Sequence, residues 1–111
     1  MTDKYKLVGH EVVPCESLEE WADWYESTFK KDGPSRIVKR TEIGEATVST
    51  VFLSIDYNFF NEGSPILFET MCFWSNNPEL NGTQERYSTW EQAEAGHNRM
   101  VGLMKAAMGG S

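Results

Sequence analysis

Asp56 and Glu69 are the two acids that fall inside strong strand patterns, and His97 lies on the apolar stripe of the last helical segment. Carboxylates and an imidazole are the usual equipment of general acid–base catalysis, so these three define the enzyme reading of the chain. Glu69 is the odder acid, because Leu67, Met71 and Phe73 share its side of the strand. A carboxylate in such a row needs a partner, access to water or a raised pKa. It reads as a ligand contact or general base, or as the ion-pair partner of Arg40, Arg86 or backbone N–H groups, and the pairing is the expectation. His97, with Met100, Val101 and Met104 nearby, is expected to be a hydrogen-bonded core residue. His10 is the only other histidine, and Cys15 and Cys72 stand 57 positions apart, so no metal-ligand spacing is present. Neither cysteine sits in a nucleophile motif, and there is no GxxxxGK[ST] phosphate loop or GxSxG elbow. The expectation is no catalytic set, no metal and no cofactor.

Aromatic side chains offer a different chemistry. Tyr57, Phe59, Phe60, Trp74, Tyr87 and Trp90 all lie at or near strand ends and connecting loops. Rings in such places stack on bases or anchor protein partners, with core packing taking the others. Two charge features accompany them. Six acids and no base lie between residues 11 and 26, a run that is a solvated helix face or an imitation of a phosphate row. Lys30, Lys31, Arg36, Lys39 and Arg40 then place half of the ten basic residues within 11 positions, enough to neutralise an anionic ligand or to balance the acidic helix.

The elements that must position these groups are legible in outline. Residues 5–13 read as a first strand stopped by Pro14. Ser17 with Glu20 is a capping box opening a helix whose stripe is Leu18, Trp21, Ala22, Tyr25 and Phe29, with Glu19, Asp23 and Glu26 on the other side. A hairpin follows, Arg36 to Ile43 and Ala46 to Tyr57 around Gly44-Glu45. In its second arm Val51, Leu53, Ile55 and Tyr57 share one face, and Val48, Thr50, Phe52, Ser54 and Asp56 the other. Ile66 to Trp74 is apolar on both faces, as a central strand would be. Residues 75–85 read as a loop. Ser88 with Glu91 opens a last helix with the stripe Trp90, Ala93, His97, Met100, Val101, Met104 and Met108. Gly109-Gly110-Ser111 reads as a frayed end or linker. The fold class is therefore α+β: a four-stranded, mainly antiparallel sheet with two helices covering one face, in the order β-α-β-β-β-α, forming one domain over residues 1–111.

The composition bounds the function. With 111 residues and 40% hydrophobic side chains the chain can bury an ordinary core without metals or disulfides. Ten basic against 17 acidic residues leave a net charge of −7, the wrong sign for general binding to a nucleic-acid backbone. No apolar run approaches a membrane span, the MTDKYK start has no apolar stretch behind its lysines, and two cysteines are too few for a disulfide framework. A soluble protein of a reducing cytoplasm is expected.

Three segments, TVSTVFLSIDYNF, SPILFETMCFW and ERYSTWEQAEAGHNRMV, resemble a widespread family of small uncharacterised proteins encoded by tailed bacteriophages and prophages. That family carries a VSTVFLGLDHxF strand, an LLFETMVFGG strand and a RYSTWEEAEAGHxxMV helix, preceded by a helix rich in W-x-x-W/F that Trp21-Ala22-Asp23-Trp24 fits. The resemblance covers roughly residues 20 to 104. It implies a setting, a phage-derived protein in the host bacterial cytoplasm, and transfers no activity. Tyr57 stands where the family has His after the strand Asp, which speaks against an obligatory Asp–His pair. Phe73-Trp74-Ser75 and an extended loop replace a short FGG-PLDG turn, which points to an altered binding surface.

The resulting expectation is a non-enzymatic phage binding protein, in a counter-defence role, that sequesters a small anionic, nucleotide-like host ligand or blocks a host protein. The ligand version uses stacking by Tyr57, Trp74 or Tyr87, charge neutralisation by Arg86 or Arg99, and contacts from Glu69 and His97. The protein version uses Glu19, Asp23 and Glu26. A homo-oligomer would deepen a pocket between subunits. The alternatives are a virion structural or assembly protein and, ranked last, an enzyme using Asp56, Glu69 and His97.

Overall fold

A computed structural model describes residues 3–58 and 63–109. The chain opens with a hairpin of its own, β1 (Tyr5–Val8) and β2 (Glu11–Pro14), where the sequence reads as a single strand. Gly9 explains the difference: it adopts φ +64°, a left-handed conformation that glycine enters without steric cost, and the strand reverses there. Pro14 ends the hairpin at its pairing with Tyr5.

Helix α1 (Leu18–Ser27) begins at the expected cap. The Glu20 N–H donates to Ser17 Oγ at 3.0 Å, while the Glu20 carboxylate accepts from the Glu16 N–H at 2.9 Å and pairs with Lys6 at 2.8 Å. Replacing Ser17 by alanine frees that N–H, and a loss of about 1 kcal/mol is expected in urea unfolding. An unchanged midpoint would show that the Glu20 contacts alone hold the helix start.

The main sheet is four antiparallel strands in the order β3-β4-β5-β6, with β3 (Ile37–Ile43), β4 (Ala46–Phe52), β5 (Phe68–Phe73) and β6 (Gln84–Tyr87). The α+β class with two helices and a four-stranded antiparallel sheet is as the sequence implies, and β5 is an interior strand. Two boundaries differ. Strand β4 stops at Phe52 because Ser54 takes φ +72° and turns the chain. Strand β6 comes from a segment that reads as a loop; Gln84, Glu85 and Arg86 are exposed on a sheet edge, so no apolar alternation marks them.

Alternation decides the layers. Ala46, Val48, Thr50 and Phe52 of β4, with Phe68, Thr70 and Cys72 of β5, are buried on one face. Helix α2 (Trp90–Gly109) lies across that face with Ala93, Gly96, His97, Met100 and Met104 buried. Its cap is one residue later than the Ser88–Glu91 pattern: the Gln92 N–H donates to Thr89 Oγ1 at 3.1 Å, and Gln92 Oε1 accepts from the Ser88 and Thr89 N–H groups. Thr89-x-x-Gln92 satisfies the same pairing rule, and the helix starts immediately after it.

The core has two apolar clusters, Leu7, Phe52, Leu67, Phe68, Tyr87 and Ala93 at one end, and Ala46, Val48, Cys72, Trp74, Met100 and Met104 at the other. Helix α1 closes the first end, with Trp24 edge-on to Phe52 at 5.7 Å. Ser54 ties three elements there: it accepts from the Trp21 indole N–H at 2.6 Å and donates to the Tyr5 carbonyl at 3.0 Å. Cys15 and Cys72 are buried free thiols, pushed above the ordinary thiol range by desolvation and so unreactive.

Candidate functional site

The residues singled out in the sequence fall in separate places. Tyr57, Glu69 and Arg86 meet on the sheet face away from α2. Arg86 Nε donates to Glu69 Oε2 at 2.9 Å, and its guanidinium carbon lies 5.2 Å from the Tyr57 ring centre. Glu69 thus has the Arg86 partner expected of a carboxylate in an apolar row. Asp56 does not join them. Its Oδ1 accepts from the Asn58 N–H at 2.7 Å and the Ile66 N–H at 2.9 Å, which clamps the neck of the intervening loop. Phe59 and Phe60 lie outside the described residues, as do Gly110 and Ser111. Trp74 is buried in the second apolar cluster and so stands apart from the ligand set proposed for it.

On the α2 side, a polar row crosses the sheet between the two apolar clusters. Thr41 Oγ1 lies 2.8 Å from His97 Nε2, His97 Nδ1 lies 2.7 Å from Thr50 Oγ1, and Thr50 Oγ1 lies 2.5 Å from Thr70 Oγ1. Beyond Thr70, the Tyr87 hydroxyl donates to Glu85 Oε1 at 2.9 Å, and Arg99 reaches the same oxygen at 3.2 Å. A neutral ring carries a single N–H, so one His97 nitrogen donates to its threonine hydroxyl and the other accepts from the threonine on its side. Burial lowers the His97 pKa below its ordinary value, with Lys39 adding to the effect. Tyr87 is raised, chiefly by burial. His97 has no exposed surface, so it is a hydrogen-bonded core histidine with no path to a substrate. Asp56, Glu69 and His97 do not converge. Among the described residues no group of three His, Cys, Asp or Glu side chains is placed to hold a metal ion.

Helix α1 departs most from expectation. None of its residues is buried, although its sequence stripe reads as core. Trp24, off that stripe, packs edge-on against Phe52, and Trp21 donates to Ser54, while Leu18 is 66% and Phe29, just past the helix, 67% exposed. The rings form a ladder along the outside: Trp21 stacks on Tyr25 at 5.0 Å, and Tyr25 meets Phe29 edge-on at 5.5 Å. Arg36 lies over Tyr25 and Phe29 at 4.5 and 4.9 Å and donates to Thr28 Oγ1 at 3.1 Å. Glu19, Asp23 and Glu26 run beside the ladder, all exposed. A pocket of about 220 Å³ lined by Thr28, Ser35, Arg36, Ile37 and Val51 joins this helix to the open sheet face, where Ile37 and Phe73 are both about half exposed.

No family model, curated protein or solved structure matches this chain.

The functional reading therefore rests on the surfaces themselves. The signal that separates the α1 stripe from a core stripe is its composition. Trp, Tyr and Phe replace the aliphatic residues of a buried helix, and tryptophan and tyrosine tolerate a half-wet position. No helix among the described residues is long and apolar enough to cross a membrane.

Proposed function

We propose that the protein is a non-enzymatic binding protein that covers a basic surface on another protein with helix α1. The observation that carries this reading is that α1 has no buried residue although Leu18, Trp21 and Tyr25 share one stripe, with Phe29 exposed just past its end. The ladder supplies rigid anchors, since its rings are already held by Arg36, Thr28 and Ser54, and little rotamer entropy is lost on contact. The acidic row beside it selects for a positively charged partner and against other surfaces.

A small anionic ligand is less well served. Arg86 is engaged by Glu69, and Arg99 by Glu85, so each cation assigned to neutralise it already has a carboxylate. In the phage setting that the sequence resemblance implies, the partner is a host protein blocked in the bacterial cytoplasm as a counter-defence. A virion role is the competing assignment, distinguished by whether the protein co-purifies with assembled particles.

The triple change Glu19→Lys, Asp23→Lys and Glu26→Lys, and separately Phe29→Ser, should each weaken partner capture at least tenfold. Stability should change by no more than about 0.5 kcal/mol per site, as expected for exposed positions. Capture at wild-type strength by both folded variants would refute the α1 reading.

A further inference from the structure

Strand β3 is an edge of the main sheet, with β4 on one side and no strand on the other. Its pairing with β4 decides which of its backbone groups are left over. The two-residue turn at Gly44-Glu45 makes Ile43 and Ala46 a hydrogen-bonded pair, and bonded and non-bonded pairs alternate along an antiparallel ladder. Thr41 and Lys39 therefore bond to Val48 and Thr50, and the N–H and C=O groups of Arg40 and Glu42 point out of the sheet. The Phe52 N–H, which donates to the Arg36 carbonyl at 2.7 Å, fits the same alternation along β4. The Arg40 and Glu42 side chains share the sheet face away from α2, since their β4 partners are Ser49 and Thr47. Both residues are exposed, and neither side chain has a hydrogen-bond or ion-pair partner among the described residues. Helix α2 meets β3 from the other face, through Thr41 and Lys39, so the edge itself is uncovered. The opposite edge differs. There the Cys72 N–H donates to the Thr83 carbonyl, so Gln84 and Arg86 of β6 point outward, and Arg86 is already held by Glu69.

We propose that two copies of this chain pair antiparallel through β3, with Thr41 facing Thr41 of the partner subunit across a twofold axis, so that their sheets become continuous. The outward groups fix the register. Residues opposed across an antiparallel ladder put their side chains on the same face, so Arg40 and Glu42 can face each other or their own copies. Centring the pairing on Arg40 opposes two guanidinium groups, and centring it on Glu42 opposes two carboxylates; like charges directly opposite are destabilising. Centring it on Thr41 opposes Arg40 to Glu42 of the partner subunit, twice by symmetry. Each such pair exchanges two backbone hydrogen bonds, and its side chains form an ion pair on the open face. On the α2 face Lys39 then lies opposite Ile43 of the partner subunit, and its methylene stem covers that half-exposed side chain. Charges usually protect a sheet edge from pairing. Two opposite charges flanking one threonine instead make this edge complementary to itself in a single register. The bulge between Ile37 and Lys39 ends the ladder, so the contact is short and closes as a dimer. This surface is separate from α1, and the dimer does not rest on that reading.

Sedimentation equilibrium of the full chain tests the proposal. The wild type should reach twice the 12.7 kDa chain mass, with a dissociation constant of about 1–100 µM because few side chains are desolvated. R40E and E42R should each weaken the dimer at least about tenfold, since each sets like charges face to face twice. Mixing R40E with E42R should restore association as a heterodimer, because every opposed pair again has opposite signs. The double variant R40E/E42R should restore it within one chain for the same reason. In the wild type, the backbone N–H groups of Arg40 and Glu42 should exchange with solvent more slowly as concentration rises, a readout that needs no variant. The proposal is overturned by a wild type that stays at the chain mass at about 1 mM. It is equally overturned by single variants that dimerise at wild-type strength, by a mixture no more associated than its components, or by exchange at those two amides that ignores concentration.

Discussion

Replacing Gly96 by alanine is expected to destabilise the protein by about 1–3 kcal/mol, although glycine-to-alanine in an ordinary helix interior stabilises by up to about 1 kcal/mol. The sign reverses because a Cβ at Gly96 would fall on the Tyr87 ring and its hydroxyl oxygen. Neither group can yield cheaply. Tyr87 is buried in the first apolar cluster, and its hydroxyl donates to Glu85. Gly96 therefore lets α2 lie close against the Tyr87 ring of β6. Gly102, in the same helix, is the internal control: a Cβ there meets nothing within 4 Å. Gly102→Ala should stabilise by about 0.5–1 kcal/mol. Urea unfolding of both variants measures the contrast. In a Tyr87→Ala background the Gly96→Ala penalty should vanish, and a penalty that persisted there would locate its cause elsewhere in α2.

Acid should loosen the fold through His97 before the carboxylates titrate. The folded-state pKa of His97 lies below the ordinary value of 6.5. Between the two values the unfolded chain binds the extra proton and the folded chain does not, so stability rises with pH across that window. The contribution of His97 is complete above about pH 6.5 and is lost progressively as pH falls toward its folded value. Protonation would also make both ring nitrogens donors, so the threonine hydroxyl that donates to the neutral ring would have to turn and accept instead. Glu20 acts in a lower window. Its pKa is depressed from 4.5, first by the Lys6 hydrogen bond, so its contribution is present above that value and lost below it. His97→Leu removes the titration and leaves the Thr50 hydroxyl with one partner fewer, at an expected cost of about 1–3 kcal/mol near neutrality. Its stability should then be flat from pH 7 to 5.5, where the wild type declines. Parallel pH profiles for the two proteins would remove His97 as the source.

Both effects come from a layer that was half visible in the sequence. The alternation of Val48, Thr50 and Phe52, and the stripe of Ala93, His97, Met100 and Met104, mark the two surfaces that meet. They do not show that Thr50, Thr70 and His97 occupy the same level, because that depends on the β4–β5 register pairing Thr50 with Thr70 and on where α2 lies along the sheet. Glu69 is a similar case. The need for a partner is evident from its apolar neighbours, and the choice of Arg86 is made by cross-strand pairing of β5 with β6.

By itself the sequence determined what short-range physics controls: the Ser17 cap, the Gly44 turn, the helical stripes, the alternating strands and so the α+β class. Capping, backbone conformation and side-chain periodicity act within a few residues and leave their pattern in the chain. Only the tertiary structure decided which apolar stripes are covered. Helix α1 carries as clear a stripe as α2, yet α2 lies on the sheet while α1 docks through Trp24 and leaves Leu18 and Phe29 in water. Burial depends on what packs against a face, and that is set by segments distant in sequence. The same reason hid β6, whose polar residues become a strand only because β5 offers an edge, and the stack of His10 on Trp90, which joins residues 80 positions apart.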